Sequence, residues 1–237
     1  FHEIGWPVTV LHGGYKAYRR VVQGELDRAA DRFQWRLLTG PTGSGKTLIL
    51  QQMAEQGFQV LDLEGLANHR GSVLGQEPNR PQPSQKYFES KLAEQLATLS
   101  HDQPVWVESE SSKVGELHLP ARLFQALIQA PALALEADRS MRAALSLAQY
   151  QHLTTDPEGT RRLIEKLGFR HSRQQIADWQ NAIEQSQWLK LSEGLLAEHY
   201  DPAYTRSQKR LQIQRSYTLT HPGVLDADLM DAMRTFS

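Results

Sequence analysis

Over roughly the first 135 residues, apolar positions fall into short runs that alternate with helical repeats. Phe33 to Thr39, Phe58 to Leu63 and Pro104 to Glu108 are brief apolar stretches, each with the pattern of a short strand. Between them, Leu48 to Ala54 reads as a helix. Tyr87, Phe88, Leu92, Leu96 and Leu99 recur at helical spacing behind Ser84, a residue suited to capping. Strand alternating with helix predicts a parallel sheet with covering helices, an α/β fold. From about residue 136 the pattern is mostly helical, with breaks at Pro157, Gly159 and Gly168. Asp201-Pro202 has the form of a helix cap followed by proline at the first helical position. Ser216 to Thr220 has the pattern of one more strand, which this region would return to the sheet. A last helix follows at 226–235. At the other end, Trp6 to Leu11 reads as a strand, His12-Gly13-Gly14 as a turn and Tyr15 to Val22 as a helix. That unit is too small to bury a core alone. The expected division is therefore 1–22, closing another domain; 23–135, the α/β domain; and 136–237, the helical region.

Chemistry enters at residues 40–47, Gly-Pro-Thr-Gly-Ser-Gly-Lys-Thr, a complete G-x-x-x-x-G-K-[ST] phosphate-binding loop. Its setting between a strand and a helix is the context the motif requires. A glycine-rich turn with an incidental lysine is the alternative, and the flanking pattern disfavours it. The backbone of Gly40, Thr42, Gly43, Ser44, Gly45, Lys46 and Thr47 would cradle phosphate, aided by the helix N-terminus. Lys46 would reach the outer phosphate, and the Thr47 hydroxyl would hold Mg2+. The fold class expected is thus a P-loop NTPase-like parallel sheet with flanking helices, plus a mostly helical C-terminal region. Ligands of such sheets sit at the carboxyl ends of the strands. That rule selects Asp62 and Glu108, with Glu108 on the metal side and Asp62 positioning substrate. The loop from Glu64 to Pro83 is long for a compact unit and so reads as functional. It carries His69, able to titrate near neutrality, and Arg70, a planar fork suited to phosphate.

Composition changes the picture less. A formal charge of -1 gives no global basic field, so a nucleic-acid partner would have to use local patches. Arg161, Arg162, Lys166, Arg170 and Arg173 form one basic cluster, and Arg206, Lys209, Arg210 and Arg215 another. Such clusters are commonly solvated faces offset by acids, and Glu158 and Glu165 are at hand. Trp179 and Trp188 read as core. Cysteine is absent, which excludes disulfides, a thiolate nucleophile and cysteine metal sites within this chain. No apolar run reaches the ~20 residues of a membrane span, nothing resembles a signal peptide, and a cytoplasmic location is expected. The chain starts on Phe1 rather than methionine and reads as part of a longer protein.

Several stretches together resemble one family, the tRNA 2-selenouridine synthases. They are Gly13-Gly14-Tyr15-Lys16-Ala17-Tyr18-Arg19, the phosphate loop, Asp62 to Ser72, Gln82-Pro83-Ser84-Gln85 with Phe88-Glu89, Val105 to Glu108, and Tyr200-Asp201-Pro202-Ala203-Tyr204. The resemblance is strong over residues 1 to about 130 and weak beyond. It implies an N-terminal rhodanese-like domain with a reactive cysteine, of which residues 1–22 match the last strand, turn and helix. It also implies a transferase that converts wobble 2-thiouridine in the tRNA anticodon arm to 2-selenouridine. The route uses selenophosphate and an S-geranyl intermediate made with geranyl diphosphate. His69, Arg70, Asp62 and Glu108 are then the catalytic candidates, and Thr47 and Glu108 the Mg2+ ligands. Arg19, Arg162, Lys166, Arg206 and Arg210 are the candidate tRNA contacts. No redox cofactor and no membrane partner are expected. Ser109 stands where the family usually has an acid, which leaves Glu108 and Glu110 as the candidate acids. Two alternatives remain: a P-loop NTPase or kinase, and a tRNA-binding module with a non-catalytic nucleotide.

Overall fold

The computed structural model describes residues 4–72, 74–75 and 80–236. Helix α1 (Gly14–Arg32) precedes β1 (Trp35–Thr39), α2 (Lys46–Glu55), β2 (Gln59–Leu61), the short α3 (Leu63–Ala67) and α4 (Gln85–Leu96). Strand β3 (Val105–Glu108), a small hairpin of β4 (Lys113–Val114) and β5 (Leu117–His118), α5 (Ala121–Gln129) and β6 (Pro131–Glu136) follow. The helical region holds α6 (Arg139–Gln149), α7 (Gln151–Thr155), α8 (Pro157–Glu165), α9 (Arg173–Glu184), α10 (Trp188–Leu195) and α11 (Asp201–Gln208). The chain then returns to the sheet as β7 (Gln212–Thr218) and ends in α12 (Ala227–Arg234).

The five main strands form one parallel sheet in the order β2-β3-β1-β6-β7. Period-two alternation along the strands splits the apolar residues between two layers. Trp35, Leu37, Val105, Val107 and Ala132 face α1, α4 and α5, where Val22, Leu26, Phe88, Leu92 and Leu123 complete one core. Leu38, Trp106, Leu133 and Leu135 face α2 and α12, where Ile49, Met53, Leu229 and Met233 complete the other. Coverage on both faces is the reason these strands read as continuous apolar runs. The architecture is the P-loop NTPase-like α/β fold that the sequence predicts.

Four local expectations are corrected. Residues 6–11 form no strand; a strand needs a ladder beside it, and the main sheet ends at β2 and β7. The helix expected over 15–22 continues to Arg32, because Leu26, Ala29 and Ala30 prolong its buried face. The 22/23 boundary therefore falls inside one continuous helix. Strand β6, which the sequence reading does not name, lies inside the sheet between β1 and β7. The 64–83 stretch opens with a helical turn rather than loop, and its residues 73 and 76–79 lie outside the described set.

A third apolar cluster, built on Ile164, Leu167, Trp179, Ile183, Leu191 and Leu195, gives the helical region its own core. There, His199 is buried and its Nδ1 lies 2.9 Å from Nε2 of His171. Burial first, then His171, Arg170 and Arg206, depress the His199 pKa from 6.5 to about 4. A depressed folded-state pKa contributes stability that is present above about 6.5 and lost as pH falls toward 4. Lowering pH from 7 to 5 is expected to cost about 2 kcal/mol. Thermal melts of wild type and His199→Gln at the two pH values check this; the variant should show a much flatter dependence.

Candidate active site

Strand β1 delivers the chain to the phosphate loop, and α2 begins at Lys46. Gly43 and Gly45 adopt left-handed φ values of 83° and 78°, which lets successive N–H groups converge on one point. Both glycines are also demanded by crowding. A Cβ at Gly43 would strike the Arg142 carbonyl and Ser146 Oγ of α6, and one at Gly45 would strike the backbone of Gly223. The loop is thus walled by α6 on one flank and by the turn after β7 on the other. Gly223 N–H donates to the Ser44 carbonyl (3.0 Å). Gln52 clasps the same turn, donating to Gly223 O (2.8 Å) and accepting from Leu225 N–H (3.1 Å).

Within the loop, Lys46 Nζ donates to Gly40 O (2.9 Å) and lies 3.5 Å from Glu108 Oε1. Ser44 Oγ is buried with no hydrogen-bond partner among the described residues. An anion seated in the loop would give both groups their natural partner.

Three carboxylates meet beside Thr47. Its hydroxyl lies 2.9 Å from Glu108 Oε2 and 3.1 Å from Glu64 Oε2. One oxygen from each of Glu64, Glu108 and Glu110 falls within 4.8 Å of the others. Burial, followed by Glu108 and Glu110, pushes the Glu64 carboxyl up to about 9; burial and then Glu108 push Glu110 up to about 8. This is a set of hard oxygen donors that, were all three ionised, would carry more negative charge than one lysine offsets. It fits a divalent cation of the Mg2+ type, held by Thr47 and Glu108 with Glu64 or Glu110 beside them.

The other predicted residues divide. Asp62, expected to position substrate, instead caps α3, its carboxylate accepting the Gly65 N–H at 2.8 Å. The short helix it starts turns Glu64 back toward Thr47, so Glu64 takes the place at the site. His69 is half-buried one residue past left-handed Asn68, its N–H donating to Glu64 O (3.1 Å). Arg70 donates to Gln149 O (2.8 Å), and its guanidinium carbon sits 4.8 Å from the centre of the Tyr150 ring. The Ser72 hydroxyl lies between the phenols of Tyr150 (3.4 Å) and Tyr200. Burial holds both phenols above the ordinary tyrosine range, so they stay neutral. Arg19 is not available as a tRNA contact. It is buried between α1 and α4, paired with Glu89 and donating to Lys86 O (3.0 Å) and Ser90 Oγ (3.1 Å). Arg162, Lys166, Arg206 and Arg210 are exposed on the helical region.

Two features had no counterpart in the sequence reading. Arg142, buried on α6, grips Asp201 through two bonds of 2.9 Å each and donates to the Thr42 carbonyl at 2.9 Å. Asp201 is therefore tied to the phosphate loop, and it is not the expected cap: the chain is already helical over Leu196–Tyr200, so Asp201 and Pro202 continue a helical run. Next to it, between α6 and α10, lies an almost wholly apolar pocket. Thr42, Ser146, Tyr150, Leu191, Leu195 and Tyr200 line it. Thr42 belongs to both the phosphate loop and the pocket, so the two are contiguous. Trp179 is core as expected, whereas Trp188 lines this pocket.

The family model for the tRNA 2-selenouridine synthase AAA domain matches residues 33–226. The chain is 42% identical over 153 residues to the tRNA 2-selenouridine synthase of Aeromonas salmonicida, covering 64% of this chain and 40% of that one. It is 31% identical over 229 residues to the synthase of Sulfurovum sp., covering 85% and 62%. With the synthase of Alcanivorax borkumensis it shares 31% over 233 residues, again covering 85% and 62%. The chain therefore spans about half the length of these curated relatives. Among the described residues, no helix is long and apolar enough to cross a membrane.

Proposed function

The chain belongs to the tRNA 2-selenouridine synthase family, and on that premise we propose that its phosphate loop and apolar pocket together hold geranyl diphosphate for transfer to tRNA. The observation that carries this reading is the contiguity of the two through Thr42. A diphosphate head suits the loop, and an apolar tail suits the pocket, whose lining is almost wholly apolar. A nucleoside would present a polar ribose to the same wall.

In the proposed step, the sulfur of wobble 2-thiouridine attacks the geranyl carbon that bears oxygen. The C–S bond forms, the C–O bond breaks, and diphosphate leaves with the bonding pair; the base gives up its N3 proton. Lys46 and the loop amides stabilise charge that grows on the departing oxygens. A Mg2+ held by Thr47 and the carboxylates would add to that neutralisation. Arg70 orients a phosphate at the pocket mouth, and His69 on the same loop is the proposed proton acceptor. Thiouridine sulfur is already nucleophilic, so positioning is the main task of the protein. Conversion of the S-geranyl base to 2-selenouridine with selenophosphate needs further chemistry. This chain has no cysteine to offer it, and that step is not assigned to these residues.

Filling the pocket tests the reading. Leu191→Trp is expected to raise the KM for geranyl diphosphate about tenfold or more, while inhibition by inorganic diphosphate stays unchanged. An unaltered KM, or ATP turnover that outpaces prenyl transfer, would count against it.

A further inference from the structure

The turn joining α8 and α9 presents its largest apolar side chain outward. Leu167 is fully buried in this segment, yet Phe169, two residues on, is 75% exposed. Arg170 lays its guanidinium over that ring, 5.1 Å from the centroid. Gly168 beside it has no atom within 4 Å of where a Cβ would stand, so the chain next to the ring faces open space.

The charge around the ring is one-sided. Arg162, Lys166, Arg170 and Arg173 share this turn and its flanking helices, and none forms an ion pair among the described residues. Of the nearby acids, Glu158 and Glu184 are taken by Arg161 (3.4 and 3.0 Å), and Glu165 accepts from Gln180 (3.3 Å). From the second basic cluster, exposed Arg206 joins Arg170 as a charge close enough to His199 to oppose its protonation. The His199 ring packs against that of Tyr200, 4.9 Å between centroids, and Tyr200 lines the apolar pocket.

We propose that Phe169 is a stacking platform for an unpaired RNA base, with Arg162, Lys166, Arg170 and Arg206 holding the flanking phosphates. A planar ring with a guanidinium over it, set in a basic field, is the combination that binds single-stranded nucleic acid without reading its sequence. Every base has a face to stack, whereas a paired duplex offers none at this spot. The assignment rests on the tRNA-modifying reading above and adds the surface that would receive the RNA. An anionic lipid surface also suits exposed phenylalanine among cations; the family's RNA chemistry favours the first partner.

The test is fluorescence anisotropy with a labelled RNA hairpin carrying an unpaired loop, and with a fully paired duplex of equal length, at fixed salt. Phe169→Ala is expected to weaken hairpin binding about tenfold or more, the usual loss for one stacked base, and to leave the duplex unaffected. Phe169→Trp should retain binding. Arg170→Gln should weaken both RNAs and reduce the salt dependence. Equal hairpin affinity for wild type and Phe169→Ala would overturn the proposal. So would a wild-type protein that ignores both RNAs but binds vesicles containing phosphatidylserine. Because no turnover is read, loss of hairpin binding in Phe169→Ala sustains this surface even if geranyl transfer is never detected. Transfer with undiminished binding in that variant removes the surface and leaves the chemistry.

Discussion

Lys46→Ala is expected to lower geranyl transfer about a hundred- to a thousandfold, the effect of deleting one preorganised donor to developing negative charge. The lysine sits where such a donor must be. Its ammonium is held by Gly40 O at 2.9 Å and lies 3.5 Å from Glu108, with only 13% of its side chain exposed. Removal takes the single cation from a group of three carboxylates, but Glu64 and Glu110 are already pushed toward their neutral forms by burial. The fold should therefore survive. Steady-state rates with geranyl diphosphate, alongside a thermal melt, separate the two effects. A variant that melts normally and transfers normally would remove the phosphate loop from the chemistry.

Asp201→Ala is expected to destabilise the protein by about 3 kcal/mol, the low end for orphaning a buried charge. In melting temperature this is a fall of roughly 6–12 °C for a chain of this size. Arg142 has 5% of its side chain exposed, and Asp201 is its sole acidic partner among the described residues. The loss should reach the site as well, because the same guanidinium fixes the Thr42 carbonyl. A slackened Thr42 would raise the KM for geranyl diphosphate along with the melting defect. Arg142→Met combined with Asp201→Leu should recover most of the stability without restoring the KM, since paired charges can be exchanged for packed apolar groups. Calorimetry and kinetics on the three variants check this.

How much of this was readable in the sequence depended on the kind of signal. The phosphate loop is a local motif whose eight residues carry their own geometry, and it stands as expected between β1 and α2. Glu108 was found from a topological rule, the carboxyl end of a strand beside β1, and the register of Glu108 against Leu38 places it there. Strand β6 was missed because Ala-Leu-Ala-Leu is made of good helix formers with no β-branched residue. Burial between β1 and β7 overrides that preference. Glu64 was missed because only the helical turn capped by Asp62 swings it toward Thr47. A carboxylate on an assumed loop gives no hint of that direction. The Arg142–Asp201 clasp and the apolar pocket join segments that are not neighbours in sequence, and no periodicity announces such a meeting. Arg19 shows the converse error: a basic residue on a short helix looked exposed until that helix proved longer and packed on α4.

Mass spectrometry of a 2-thiouridine-containing anticodon-arm RNA, incubated with this chain, geranyl diphosphate and Mg2+, tests the central claim most directly. The account predicts one geranyl group added at the thiouridine by wild type and, over the same incubation, about a hundredth or less of that by Lys46→Ala. Unmodified RNA that is nonetheless bound by the wild-type protein would contradict it, and would mean that the phosphate loop and the pocket beside it serve another ligand.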